Sequence, residues 1–172
     1  MNNIEVLISE EKIEKRISEL AEQINKDYEG EELLIVSVLR GAVVFTCDLI
    51  RKLTINVKVD FMVASSYQDS TESSGKVKIE KDLDESIKDR NILIIDDIVD
   101  TGLTLSHLVE ILKTRGPKSI ALCALCSKKE RRTKDVKVNY IGFEVPDLFI
   151  VGYGLDYKQQ YRNLPYIGRI TD

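Results

Sequence analysis

The chain predicts an α/β fold: a mainly parallel sheet flanked by helices, built as a single domain over 172 residues. Two observations carry this. Short apolar runs, fit for strands buried on both faces, alternate with stretches of helical spacing. One such run leads directly into an acidic turn rich in Thr and Gly, and that turn opens a helix. No internal repeat, low-complexity tract or Pro/Gly-rich linker divides the chain.

The elements follow in order. Ser9 is placed to cap the first helix, with Glu10 and Glu11 beside the positive end of its dipole. Ile13, Ile17, Leu20, Ala21 and Ile24 then recur on one helical face. Residues 33–38 read as a buried strand, 43–53 as a helix and 57–64 as a strand. Residues 65–76, SSYQDSTESSGK, have almost nothing to bury and read as a mobile loop. Residues 77–81 return as a hairpin strand, and 92–95 form a short apolar strand. Leu105, Leu108, Val109 and Leu112 mark the next helix, and 120–125 and 149–152 are further strands. In such sheets ligands sit at the C-terminal ends of the strands.

Composition narrows the function classes. Apolar residues make up 43% of the chain, enough for a real core, and the formal net charge is −4. Nucleic-acid binding through overall charge is therefore unfavoured, and a phosphate ligand must be held by local devices. The N-terminal residues show neither a basic region nor a long apolar run, so no signal peptide and no membrane span are expected. Three cysteines are too few for a disulfide framework, which suggests a reducing, cytoplasmic setting.

Residues 95–104, IDDIVDTGLT, carry the most chemistry. Asp96 and Asp97 are expected at the C-terminal end of the 92–95 strand. Asp100, Thr101, Gly102, Leu103 and Thr104 form the turn before the helix. Three carboxylates this close repel one another unless a cation or hydroxyl donors sit among them. Gly102 permits a tight turn with exposed amides, Thr101 and Thr104 add hydroxyls, and the helix start adds its dipole, which together suit a phosphate. Acceptors for a sugar or metal thus lie beside donors for a phosphate. The bland alternative is a capped helix with a solvated acidic turn. The spacing Asp-Asp-x-x-Asp also occurs in prenyl-diphosphate enzymes, but there it lies along a helix, whereas here an apolar strand precedes it.

This segment resembles the phosphoribosyl-pyrophosphate signature of the type I phosphoribosyltransferases. Four more segments narrow the resemblance to the hypoxanthine-guanine phosphoribosyltransferases: SVLRGA at 37–42, SSYQDS at 65–70, CSKKER at 126–131 and PDLFIVGYGLDYKQQYRNLPYIG at 146–168. They occur in the family's order and spacing and cover nearly the whole chain.

The resemblance implies a site and a reaction. Magnesium (Mg2+) and phosphoribosyl pyrophosphate would be used to convert hypoxanthine and guanine into IMP and GMP, releasing pyrophosphate. Asp96 and Asp97 would hold the ribose hydroxyls or the metal, and Asp100, Thr101, Gly102, Leu103 and Thr104 the 5-phosphate. Asp100 would also be the general base. Arg40 and Gly41, at a cis peptide in the family, would bind pyrophosphate together with Arg162. Ser66 and Tyr67 would close over it as part of a catalytic lid at about 65–78, protecting the reaction from water. Lys128 would donate to the purine's exocyclic oxygen, the Phe149 ring would stack on the base, and the Ile150 backbone would meet its edge. Asp156 would lie near the base and a second magnesium. The chain ends would form a base-binding hood, and the assembly would be a homodimer or homotetramer.

Three positions depart from common family patterns: Arg40 in place of Lys, Asp96 in place of Glu, and Leu103 in place of a polar residue. Transfer to adenine, orotate or uracil is disfavoured by Lys128 and the 149–157 segment. A rival of another class is a nucleotide-sensing, nucleic-acid-binding regulator of similar fold, for which the basic run Lys128, Lys129, Arg131, Arg132 and Lys134 is the best argument. Apart from Lys128, that run reads as a solvated face. Cys123 and Cys126 read as core residues, expected on opposite faces of a strand, and His107 is given no role in catalysis.

Overall fold

Strands β2 (Glu32–Leu39) and β5 (Asn91–Val99) are apolar along most of their length because both faces are covered. Leu33 and Ile35 of β2, with Leu93 and Ile95 of β5, face one core cluster; Leu34, Val36, Ile92 and Ile94 face a second. The computed structural model describes residues 3–66 and 77–171.

Among the described residues, β2 and β5 lie at the centre of a six-stranded sheet. Its order is β4 (Val77–Lys81), β3 (Asn56–Ser66), β2, β5, β6 (Ser119–Ser127) and β7 (Tyr140–Glu144). Every neighbouring pair is parallel except the β3–β4 hairpin, as residues 77–81 suggested. Helices α1 (Glu10–Asp27) and α2 (Val43–Ile50) cover one face through Ile13, Ile17, Leu20, Ile24, Phe45 and Leu49. Helix α3 (Leu103–Lys113) covers the other through Leu105, Leu108 and Leu112. Ser9 caps α1, its side chain accepting from the Lys12 amide at 3.4 Å.

Several elements differ from the sequence expectation. The helix after β2 ends at Ile50, three residues before the predicted limit, and β5 runs on to Val99 because Ile98 and Val99 pair with Cys126 and Ser127. The strand expected at 149–152 is β8 (Ile150–Val151), and it lies outside the large sheet. It joins a second, antiparallel sheet in the order β1 (Asn3–Ile8), β9 (Ile167–Thr171), β8, which brings the two chain ends together. Neither β1 nor β9 was foreseen in the sequence: in β1 the alternation of polar and apolar residues lasts only from Asn3 to Val6, and only Ile8 is buried. Strand β7 was also unforeseen. Its carbonyls at Ile141 and Gly142 are covered by the Arg16 guanidinium at 2.7 and 2.9 Å, which closes that sheet edge.

The topology sets the position of the site. From β2 the chain crosses through α2 to β3; from neighbouring β5 it crosses through α3 on the opposite face to β6. The loops leaving β2 and β5 therefore part company, and a crevice opens between them at the strands' C-terminal ends. Among the described residues no helix is long and apolar enough to cross a membrane.

Candidate active site

A cavity of about 350 Å³ fills this crevice. Arg40 and Gly41 line it from the β2 side, Asp96 to Gly102 and Thr104 from the β5 side, and Asp156 and Arg162 from the distant C-terminal segment. Asp96 and Asp97 belong to β5 rather than following it. Each carboxylate accepts the next residue's amide: Asp97 N at 3.0 Å from Asp96 Oδ1, and Ile98 N at 2.8 Å from Asp97 Oδ1.

Burial and the neighbouring Asp97 charge push the Asp96 carboxyl well above the usual carboxylate range, and burial raises Asp97 as well. A hard cation or donor hydroxyls would relieve this cost. Among the described residues no three His, Cys, Asp or Glu side chains form a metal cage. Magnesium does not need one, because it is commonly held by one or two carboxylates together with substrate phosphate oxygens. The Asp96–Asp97 pair fits that use.

The raised carboxyls also set a pH trend. A group whose folded pKa exceeds its unfolded value contributes stability that is fully present below the unfolded pKa and is lost as pH rises through the folded one. At neutral pH and without metal, the pair therefore destabilises the fold. Asp96→Asn keeps an Oδ1 acceptor for the Asp97 amide and removes one charge. Metal-free, it is expected to be more stable by about 0.5–2 kcal/mol at neutral pH, with the gain shrinking as pH falls toward 4. Thermal unfolding across pH checks this; an unchanged or lowered midpoint at neutral pH contradicts it.

Gly41 faces this pair at very close range. A Cβ at position 41 would lie 1.6 Å from Asp97 Oδ2. Behind it, a Cβ on Gly154, whose φ is +100°, would lie 2.1 Å from the Gly41 carbonyl oxygen. The loop is wedged between Asp97 and Gly154, and only glycine fits at either contact. The Leu39–Arg40 peptide is cis, as the resemblance led one to expect.

The turn after β5 ends at Gly102, which caps α3 in the left-handed region at φ +84°. The amides of the first turn of α3 are thus presented beside Thr101 and Thr104, a usual setting for an anion. The turn is propped from below: Thr101 O accepts the Thr133 and Lys134 amides at 3.0 and 3.1 Å. A Cβ on Gly102 would meet Arg132 Cδ and Lys134 O at 2.9 Å. His107 lies further along, its Nδ1 3.0 Å from Leu103 O.

The cations come from far apart in the chain. Arg162 donates to Gly154 O at 2.7 Å and pairs with Asp156 Oδ1 at 2.8 Å. Arg162 and Arg40 both donate to Gln159 Oε1, at 3.1 and 3.2 Å. Gln159 was missed in the sequence; nothing local marks it, and its positive φ of 65° became visible only in the fold.

Lys128, Phe149 and Ile150 stand apart from the lining of that cavity. Lys128 is buried, with Nζ 3.5 Å from Asp147 Oδ1. The Phe149 ring is 59% exposed, open for stacking, and meets Tyr157 edge-on at 5.5 Å. Ile150 is buried in β8. Ser66 ends β3, and Tyr67 lies outside the described residues, as does most of the expected lid.

One expectation holds with an addition and one needs correction. Beyond Lys128 the basic run is largely solvent-facing, with Lys129, Arg131 and Lys134 exposed, but two of its arginines also make specific contacts. Arg131 Nε lies 2.8 Å from Asp100 Oδ1, and Arg132 donates to Ser127 Oγ at 2.8 Å. These residues follow β6, which ends beside β5, so the fold brings them next to the acidic turn. Cys123 and Cys126, expected on opposite faces, are both buried in the same core cluster, where burial pushes their thiols far up.

Comparison with known proteins shows the family. The family described as "Phosphoribosyl transferase domain" matches residues 5–158. A hypoxanthine-guanine phosphoribosyltransferase of Bacillus subtilis is 53% identical over 163 residues, covering 95% of this chain and 91% of that protein. A hypoxanthine phosphoribosyltransferase of Salmonella typhimurium is 48% identical, covering 99% of this chain and 97% of the relative. The crystal structure of a hypoxanthine-guanine phosphoribosyltransferase from Bacillus anthracis superposes with a TM-score of 0.95 at 45% identity, covering 99% of this chain and 100% of that one. The acidic strand end, the glycine-wedged loop and the anion-ready helix start of this chain thus lie on a fold it shares with these relatives, and the chain belongs to the phosphoribosyltransferase family, among its hypoxanthine-guanine members.

Proposed function

We propose that this enzyme transfers the 5-phosphoribosyl group from phosphoribosyl pyrophosphate to N9 of hypoxanthine or guanine, with magnesium, giving IMP or GMP and pyrophosphate. The observation that carries the reading is the crevice itself. It sets the acidic pair of β5 beside the anion-ready start of α3 and opposite a pair of arginines. Ribose, its 5-phosphate and a pyrophosphate leaving group ask for those three features side by side.

The residues divide the work. Asp96 and Asp97 accept from the ribose hydroxyls and are the carboxylates that would hold magnesium, with Asp156 near a second ion. Magnesium, when bound, neutralises phosphate oxygens that the arginines alone would leave charged. Thr101, Gly102, Leu103 and Thr104 bind the 5-phosphate, while Arg40, Gly41 and Arg162 receive the pyrophosphate, with Ser66 and Tyr67 as further contacts. Lys128 donates to the 6-oxo group and so disfavours adenine, whose amino group cannot accept from it. Phe149 stacks on the base, and the Ile150 backbone meets its edge. In the reaction the bond from C1′ to the pyrophosphate oxygen breaks, and its electron pair leaves with pyrophosphate. Purine N9 forms the new bond to C1′. The proton on N7 passes to the Asp100 carboxylate.

We place the enzyme in the cytoplasm as a homodimer or homotetramer. The deciding assay follows nucleotide formation from magnesium, phosphoribosyl pyrophosphate and each of hypoxanthine, guanine, xanthine and adenine. Turnover of hypoxanthine or guanine is expected, with none for adenine and loss on chelating magnesium. Inactivity with every base would reject the reading and turn attention to the nucleic-acid-binding regulator, tested by gel shift at physiological salt.

A further inference from the structure

We infer that Arg131 is a positioning residue for Asp100, coupling the acidic turn to the Lys128 side of the site. The inference rests on Asp100 being the general base.

The fold brings the two residues together. The Lys128 amide donates to Val99 O at 2.9 Å, pinning the chain after β6 to the end of β5. A 3-10 turn at Lys129–Arg131 follows, and the Arg131 side chain returns over Asp100. Its Nε is 2.8 Å from Asp100 Oδ1, and its Nη1 is 3.5 Å from Asp147 Oδ1. Asp147 Oδ1 is in turn 3.5 Å from Lys128 Nζ. Asp100, Arg131, Asp147 and Lys128 thus form a chain of alternating charge from the base carboxylate to the cation assigned to the purine oxygen.

Three features point to positioning rather than stability. The Arg131 and Asp100 side chains are 46% and 43% exposed, and an ion pair that open contributes little to stability. Asp100 Oδ1 is nonetheless a buried oxygen with no aligned hydrogen-bond donor, so the guanidinium beside it is at contact distance but off the bonding line. Catalytic hydrogen bonds are often misaligned before substrate binds and tighten in the reacting complex. A guanidinium can also address two carboxylates at once through its rigid fork, which an ammonium does less well. Once that contact aligns in the reacting complex, Oδ1 is held and Oδ2 is the oxygen left to take the purine proton.

The test is a double-mutant cycle under saturating magnesium, comparing the native enzyme with Asp100→Asn, Arg131→Ala and the double variant. Arg131→Gln is run beside the alanine variant to keep the side chain's bulk, and thermal unfolding verifies that each is folded. Arg131→Ala is expected to lower kcat by roughly tenfold to a hundredfold, the cost of a misplaced catalytic group. KM for phosphoribosyl pyrophosphate should stay unchanged. The double variant should be no slower than Asp100→Asn, because the two act as one unit. An unchanged kcat in folded Arg131→Ala and Arg131→Gln beside a slow Asp100→Asn sinks this inference alone. So does a loss confined to KM, or one that adds in full to that of Asp100→Asn. Full turnover in Asp100→Asn sinks the base assignment, and this inference with it.

Discussion

Asp100→Asn is expected to slow turnover of hypoxanthine by about 10²–10⁴-fold, the usual contribution of a general base, while both substrates still bind. The amide has nearly the carboxylate's shape, so the turn assigned to the 5-phosphate should survive. Thr101 O still takes the Thr133 and Lys134 amides, and Gly102 still caps α3. What disappears is the acceptor for the N7 proton. Single-turnover kinetics together with calorimetric binding separates the two effects: the chemical step should slow, and the dissociation constants should move little. A variant that loses affinity for phosphoribosyl pyrophosphate and keeps its chemical rate would make Asp100 a phosphate ligand instead.

Gly41→Ala is expected to have the next largest effect, on donor binding. The new methyl carbon would sit 1.6 Å from Asp97 Oδ2, well inside contact distance. The loop cannot retreat, because the Gly41 carbonyl is already packed on Gly154, where even a Cβ would come within 2.1 Å. The strain therefore falls on Asp97, which must rotate away and give up its bond from the Ile98 amide. Overpacking of this kind costs about 1–3 kcal/mol, equivalent to roughly 5–150-fold in an equilibrium. Calorimetry with phosphoribosyl pyrophosphate and magnesium should show weakening of that order. Native affinity would mean that the loop has slack the packing does not suggest.

The legibility of this site from sequence varied with the range of the interactions involved. The strand–acidic turn–helix at 95–104 could be read because its chemistry lies within ten consecutive residues. The continuous apolar runs of β2 and β5 announced strands covered on both faces, and both cores are found there. Where a strand pairs mainly by backbone, the side chains carry little signal. Strands β1 and β9 hold the chain ends together with partly exposed residues, and β5 is longer than its apolar stretch because Ile98 and Val99 find partners on β6. The Arg131–Asp100 contact was hidden for a similar reason. In the sequence Arg131 is one of several cations in a row, and a row of cations ordinarily faces water.

The sequence by itself determined the α/β class, the segment that holds the acidic residues, and the resemblance to the family. Local periodicity and short-range turn chemistry suffice for those. Tertiary structure alone decided that Gly41 is wedged between Asp97 and Gly154, that Arg40 and Arg162 share Gln159, and that Arg131 covers Asp100. Those contacts join residues well separated in the chain. They arise because the loops after β2, β5 and β6 leave the same end of the large sheet and the segment between β8 and β9 comes to meet them, and no sequence spacing records which of these meet.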